Sequence, residues 1–252
     1  MTSQQLLHPP NREGFDRSSF SSAYWLNYFE RNKKEKQPLN WPQKVDVPFA
    51  ISIPVVRSLQ RFQVGETGDG THLRNYAKAL NDPDYEVCID LFIKEENAHA
   101  VVLARMIELM KGHLITWHLS DYAFVCLRHL IGLKTEVFMI LAVEIVGKCF
   151  YQCCSEGLPD EFLRNTFASI VRDEIGHLKF HWSFMHQEMR PLPKWWCTLV
   201  YYFWSALFIA ICLVFIADHG QALLALNKSK TSFVQDCRGL FRRGALRALL
   251  VN

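Results

Sequence analysis

No Cys-x-x-Cys pair occurs among the eight cysteines of this 252-residue chain, which removes the commonest zinc and thiol-redox signatures. The closest cluster, Cys149, Cys153 and Cys154, falls on one apolar helical stretch, so the cysteines are expected as reduced core residues. Met1 to Asp16 lacks the apolar core of about 7 to 15 residues that a secretory signal needs. The main body of the chain is therefore expected in the cytoplasm. An excess of one charge is also missing: 28 Lys and Arg stand against 25 Asp and Glu, a formal net of +3. With half of the residues apolar, that balance excludes a disordered chain and gives no reason to expect a nucleic-acid partner. Strand-like alternation is absent as well, which leaves the all-α class.

What is there is helical periodicity broken by prolines and glycines. Residues 1–53 are punctuated by Pro9, Pro10, Pro38, Pro42 and Pro48 and read as an N-terminal arm with one short amphipathic helix over about 18 to 31. Residues 54–189 read as four long helices in two hairpins. The first covers about 54 to 80; Asp82-Pro83 then supplies a cap and a first-turn proline for a second over about 84 to 111. After a segment opened by Ser120-Asp121, the third runs through Val137 to Cys154. Gly157 and Pro159 break the chain before a fourth, about 160 to 189, which Pro191 and Pro193 end. Residues 190–252 read as one apolar helix and a basic amphipathic tail, opened by a capping box of Ser232 and Gln235.

The second helix carries Glu96 and His99 in a Glu-x-x-His spacing, which puts both side chains on one face. Ile89, Phe92, Leu103 and Met106 share that face, so the pair points inward. The fourth helix repeats the pattern with Glu174 and His177 in the stripe of Phe167, Ile170, His181 and Phe184. One such pair alone is weak, since surface contacts at this spacing are common and worth only about 0.2 to 0.5 kcal/mol. The third helix strengthens the case: Glu144 is the one polar side chain between Val137 and Gly147. A buried carboxylate without a partner costs several kcal/mol, and metal coordination is the partner the neighbouring pairs suggest. Glu144 precedes Glu174 by 30 residues, as Glu66 precedes Glu96. One Glu on one helix and Glu-x-x-His on the next, twice over, is the inward ligand set of carboxylate-bridged two-metal bundles. The candidate ligands are Glu66, Glu96, His99, Glu144, Glu174 and His177. Four carboxylates balance two divalent ions, with both imidazoles neutral.

In these features, and in the segments Leu59 to Glu66 and Asp173-Glu174-Ile175-Gly176-His177, the chain resembles the ferritin-like superfamily of di-iron carboxylate proteins over about residues 54 to 189. The resemblance implies a ferritin-like four-helix bundle, here with an N-terminal arm and additional C-terminal helices, and a centre of two iron ions or a manganese and iron pair. It does not imply a substrate. Gly65, Gly68 and Gly70 surround Glu66 and weaken a helix by about 1 kcal/mol each, so Asp69 or His72 could replace or supplement Glu66. His181, one turn beyond His177, is either a third nitrogen ligand, a hydrogen-bond partner of a ligand, or a core histidine. Tyr151 either brings a phenol to the metals or packs in the core. Asp173 either holds a liganding imidazole or lies on a solvated face.

Trp195 to Ala217 is a run of 23 residues without a charge, long enough at about 1.5 Å per residue to cross a bilayer core of about 30 Å. Both flanks are basic, which one crossing cannot reconcile with the positive-inside rule. The segment is expected to cross the membrane, to lie buried on the bundle, or to dip into the inner leaflet of the cytoplasmic membrane. Three functions fit. The first is an oxidoreductase activating dioxygen or peroxide on a small, apolar substrate. The second is an iron-handling protein without an organic substrate, and the third a membrane-associated structural protein with a vestigial site. A homodimer is compatible with each.

Overall fold

The computed structural model describes residues 21–68, 70–118 and 133–249. Among them the chain is all-α, with eight helices and no strand: α1 Ser22–Glu35, α2 Phe49–Glu66, α3 Thr71–Ala79, α4 Pro83–Leu109, α5 Leu133–Gly157, α6 Glu161–Met189, α7 Lys194–Ala225 and α8 Lys230–Leu249. The segment opened by Ser120-Asp121 lies outside the described residues, as do Asp69 and Cys126. The seven described cysteines are free and buried.

Local chemistry accounts for the long helices. The Asp82 side chain accepts from Tyr85 N, Pro83 occupies the first turn of α4, and Asp84 and Glu86 add acidic charge at the positive end of the helix dipole. Asp160 caps α6 in the same way by accepting from Leu163 N. The expected first helix over about 54 to 80 is two helices, α2 and α3. Gly70 between them has φ +64°, a left-handed conformation that glycine adopts without steric cost. A Cβ there would stand 2.3 Å from Ile93 Cδ1, so the break also lets the turn settle against α4. At the start of α8, Ser229, not Ser232, provides the cap, accepting from Ser232 N.

Helix α2 runs antiparallel to α4, with Gln60 donating to the His113 carbonyl at one end and Glu66 beside Glu96 and His99 at the other. Helices α5 and α6 form a second antiparallel pair. The two pairs meet where α4 faces α6: Tyr85 stacks on Phe184, Phe92 packs edge-on to His177 and His181, and His99 reaches Asp173. The arm helix α1 continues past its expected end at 31 and buries Trp25 and Phe29, both edge-on to Phe180. Helices α7 and α8 form an antiparallel hairpin, with Phe215 stacked on Phe233 and Phe208 on Phe241. It packs against α2, α5 and α6.

Candidate metal centre

Two groups of side chains that could hold a metal ion converge where α2, α4 and α6 meet. Within each, the ligand atoms all lie within 4.8 Å of one another: Glu66, Glu96 and His99 form the first, and Glu96, Glu174 and His177 the second. Glu96 belongs to both, so its carboxylate stands between the two positions. Five of the six candidate ligands are thus brought together. Helix periodicity explains the convergence, since Glu and His three residues apart on α4 and again on α6 share the face each helix turns toward the other.

The two histidines are oriented alike. His177 Nε2 lies 2.9 Å from Glu95 Oε2, and His99 Nε2 lies 3.0 Å from Asp173 Oδ2. The acid immediately before each candidate ligand Glu therefore reaches across to the imidazole of the opposite helix. Such a carboxylate on one ring nitrogen fixes the tautomer and leaves the other nitrogen as a donor to a cation. Those other nitrogens, His99 Nδ1 and His177 Nδ1, face the carboxylates: His177 Nδ1 is 2.9 Å from Glu96 Oε1 and His99 Nδ1 is 3.5 Å from Glu174 Oε1. Neither has a partner in hydrogen-bonding geometry, and neither do the buried Glu96 Oε1 and Glu174 Oε2. Those four converging atoms are left unsatisfied, whereas both Nε2 atoms and Glu66 Oε1 have hydrogen-bond partners.

Helix α1 completes the outer layer. Asn32 Nδ2 donates to Glu95 Oε1 at 2.6 Å and to Asp173 Oδ1 at 3.4 Å, and Lys36 Nζ lies 2.7 Å from Asp173 Oδ2. On the other side, Tyr151, fully buried, donates to Glu66 Oε1 at 2.7 Å. Tyr151 therefore touches a candidate ligand as well as the core. Asp173 holds His99 and is mostly buried.

Glu144 is placed differently. It falls outside both groups, and its Oε1 lies 3.2 Å from His181 Nε2, with the imidazole fully buried and the carboxylate nearly so. The two form a second polar pair one turn along α6 from His177. His72 is exposed in the first turn of α3 and belongs to neither group.

The electrostatics are those of acids crowded away from water. Burial, and then the neighbouring Glu96, push the Glu66 carboxyl well above the carboxylate range. Burial raises Glu174 to about 7, with Glu66 adding to the rise while His99 and His177 oppose it. His99 is raised to about 10: burial opposes its charge, but the Asp173 and Glu174 carboxylates outweigh burial. Asp173 moves the other way, because the His99 hydrogen bond and Lys36 together overcome its burial. These shifts describe a site that gathers positive charge, from protons or from cations.

Glu95 and Asn32 were not foreseen from the sequence. The signal for Glu95 was present, since Glu95-Glu96-x-x-His99 has the same form as Asp173-Glu174-x-x-His177. Comparison of the chain with protein-family models, curated proteins and solved structures finds no match.

Proposed function

We propose that this chain is a ferritin-like, two-metal oxidoreductase that binds two iron ions, or a manganese and iron pair, and activates dioxygen or peroxide toward a small organic substrate. The observation that carries the reading is the sharing of Glu96 between two triads in which Glu96 Oε1, Glu174 Oε2 and both histidine Nδ1 atoms lack hydrogen bonds while the outward nitrogens of both histidines are held by carboxylates. The donor set of carboxylate oxygens and imidazole nitrogens suits divalent first-row metals and excludes the sulfur-rich alternatives.

Bound at the two positions, such ions would supply redox chemistry and an open coordination site. The chain's own residues do the rest. Glu66 and His99 would hold one ion, Glu174 and His177 the other, and Glu96 would bridge. The three carboxylates leave one positive charge of two divalent ions uncompensated, and the buried Glu144 of α5 would supply the fourth negative charge. Glu95 and Asp173 keep the protons on Nε2 and so direct Nδ1 inward. Phe29 and Phe92 pack against His177 and help to keep water from the histidines.

The test is metal analysis of anaerobically purified protein, followed by iron(II) loading and exposure to oxygen with optical detection. About two ions per chain are expected for this ligand set. Fewer than about one ion per chain under iron-replete conditions, or unchanged binding in Glu96→Ala, sinks the two-metal reading. Iron oxidation accompanied by assembly into a large shell would replace the oxidoreductase reading with iron storage.

A further inference from the structure

Helix α7 is apolar on all sides but covered on only one. At about 1.5 Å per residue its 32 residues extend roughly 48 Å. Cys197, Trp204, Phe208, Cys212, Phe215 and His219 form a buried stripe along its length. The opposite face exposes Leu199, Tyr202, Phe203, Ile209, Leu213 and Val214, with Tyr202 and Phe203 each 66% exposed. Trp195 and Trp196 extend that face toward the N-terminal end. A helix at the surface of a water-soluble body carries polar residues outward, and from Trp195 to Ala217 there is no charged residue on either face.

Three occupants could cover such a face, and packing and charge choose among them. A helix crossing a bilayer would take its buried stripe with it. That stripe is fastened along its length to the body: Trp204 stacks on Phe138 of α5 at 4.2 Å, Phe208 and Phe215 stack on α8, and Arg61 of α2 donates to the Asp218 carbonyl. Crossing would carry those elements and their charges into hydrocarbon. A second copy would bring two basic surfaces together. Residues 190–252 hold eight Lys and Arg against two Asp, a net of +6, which leaves −3 for residues 1–189 out of the chain's +3. The basic part of the molecule is therefore the hairpin that bears the apolar face. Arg238, Arg242 and Arg243 are exposed on α8, and Lys194 and Lys230 are exposed near the two ends of α7.

We propose that the outer face of α7 seats the protein in the plane of an anionic bilayer, with the aromatic side chains at headgroup level and the flanking Lys and Arg on lipid phosphates. This surface is independent of the metal site, and its test does not depend on metal content. Full-length protein is sedimented with vesicles of phosphatidylcholine alone or mixed with phosphatidylglycerol, at low and high salt. Binding at least about tenfold tighter to the anionic vesicles, weakened by salt, is expected for a face that combines apolar burial with basic charge. Phe203→Glu/Leu213→Glu abolishes that binding while circular dichroism stays unchanged, because both side chains are exposed. Arg242→Glu/Arg243→Glu removes the preference for phosphatidylglycerol. No vesicle binding by the native chain overturns the proposal. So does a stable dimer in lipid-free solution that the Phe203→Glu/Leu213→Glu pair dissociates, which makes a second copy the occupant. Resistance to alkaline carbonate extraction, with protease protection of α7, overturns it in favour of a crossing helix.

Discussion

Helices α5 and α7 are both long and apolar enough to cross a membrane, by length and composition alone. In the fold they part company: 83% of the most apolar stretch of α5 is buried inside the protein, against 22% for α7. The difference is carried by what interrupts the apolar run. Helix α5 has Glu136 and Glu144 in its inward-facing stretch, both buried, and carboxylates there belong to a protein core that contains a polar site. Helix α7 has no charged residue from Trp195 to Ala217 and leaves one side open. An apolar run marks a surface that avoids water; the placed charges within and beside it tell which partner covers that surface.

Matched truncations break this comparison most directly. Phe138 of α5 is fully buried and stacks on Trp204, whereas Phe203 of α7 is 66% exposed. Phe138→Ala is expected to cost about 3 to 5 kcal/mol, the range for removing a large core aromatic. Phe203→Ala is expected to stay within about 0.5 kcal/mol, as for an exposed site. Denaturant unfolding in lipid-free buffer measures both, and equal costs would mean that α7 is covered in solution.

The next effect concerns the polar core that α5 helps to enclose. Asp173→Ala removes the acceptor on His99 Nε2 and the partner of Lys36. A fall in metal affinity of about 10- to 100-fold is expected from losing a carboxylate that orients a liganding imidazole. Asn32→Ala, which leaves both acids in place, is expected to cost less. Competition with a coloured chelator gives the affinities, and an unchanged Asp173→Ala value would remove His99 from the ligand set.

Much of this layout was legible in the sequence because its signals are local. Asp82-Pro83 and Asp160 mark helix starts through their own capping bonds, and the two Glu-x-x-His pairs lie inward because three residues nearly complete a turn. The glycines around Glu66 pointed to a weakened helix, and the chain does break there, between α2 and α3. What was not legible depends on contacts across the chain. Asn32 and Lys36 lie 141 and 137 residues from Asp173, and no periodicity links them. The position of Glu144 was read from its burial as a ligand's, yet burial specifies only that a partner exists. In the fold Glu144 Oε1 lies 3.2 Å from His181 Nε2 on the facing helix, with neither atom in hydrogen-bonding geometry. The open face of α7 was equally hidden, since composition does not say how many sides of a helix are covered.

A smaller effect tests the joint between the two helices. Gly157, the last residue of α5, lies against the turn that joins α7 to α8, and a Cβ there would come within 2.8 Å of the Leu226 carbonyl and 3.1 Å of Leu226 Cβ. Backbone cannot yield as a flexible side chain does, so Gly157→Ala is expected to destabilise by about 1 to 3 kcal/mol as an overpacked contact. Gly239→Ala on α8, where the added Cβ meets only the end of Arg243 at 3.4 Å, is the control. Thermal unfolding of the pair separates a rigid seat for the α7–α8 hairpin from a compliant one.

A last contrast is a pH slope that the polar core has and the open face of α7 lacks. Glu174 is raised to about 7 in the folded chain from 4.5, and His99 to about 10 from 6.5. Both groups bind more protons folded than unfolded, so without metal each makes stability fall as pH rises, Glu174 between about 4.5 and 7 and His99 between about 6.5 and 10. Asp173, held below its usual 3.8, works in the opposite sense but only in stronger acid, where its contribution is lost as it protonates. The melting temperature of metal-free protein is therefore expected to decline from about pH 6 to about pH 9. Divalent metal should flatten the decline, because the ions replace the protons that neutralise the carboxylates and bind imidazole in its unprotonated form. A slope that metal leaves unchanged would place these protons outside the metal centre, and one that vanishes in Phe203→Glu/Leu213→Glu would tie it to α7 instead.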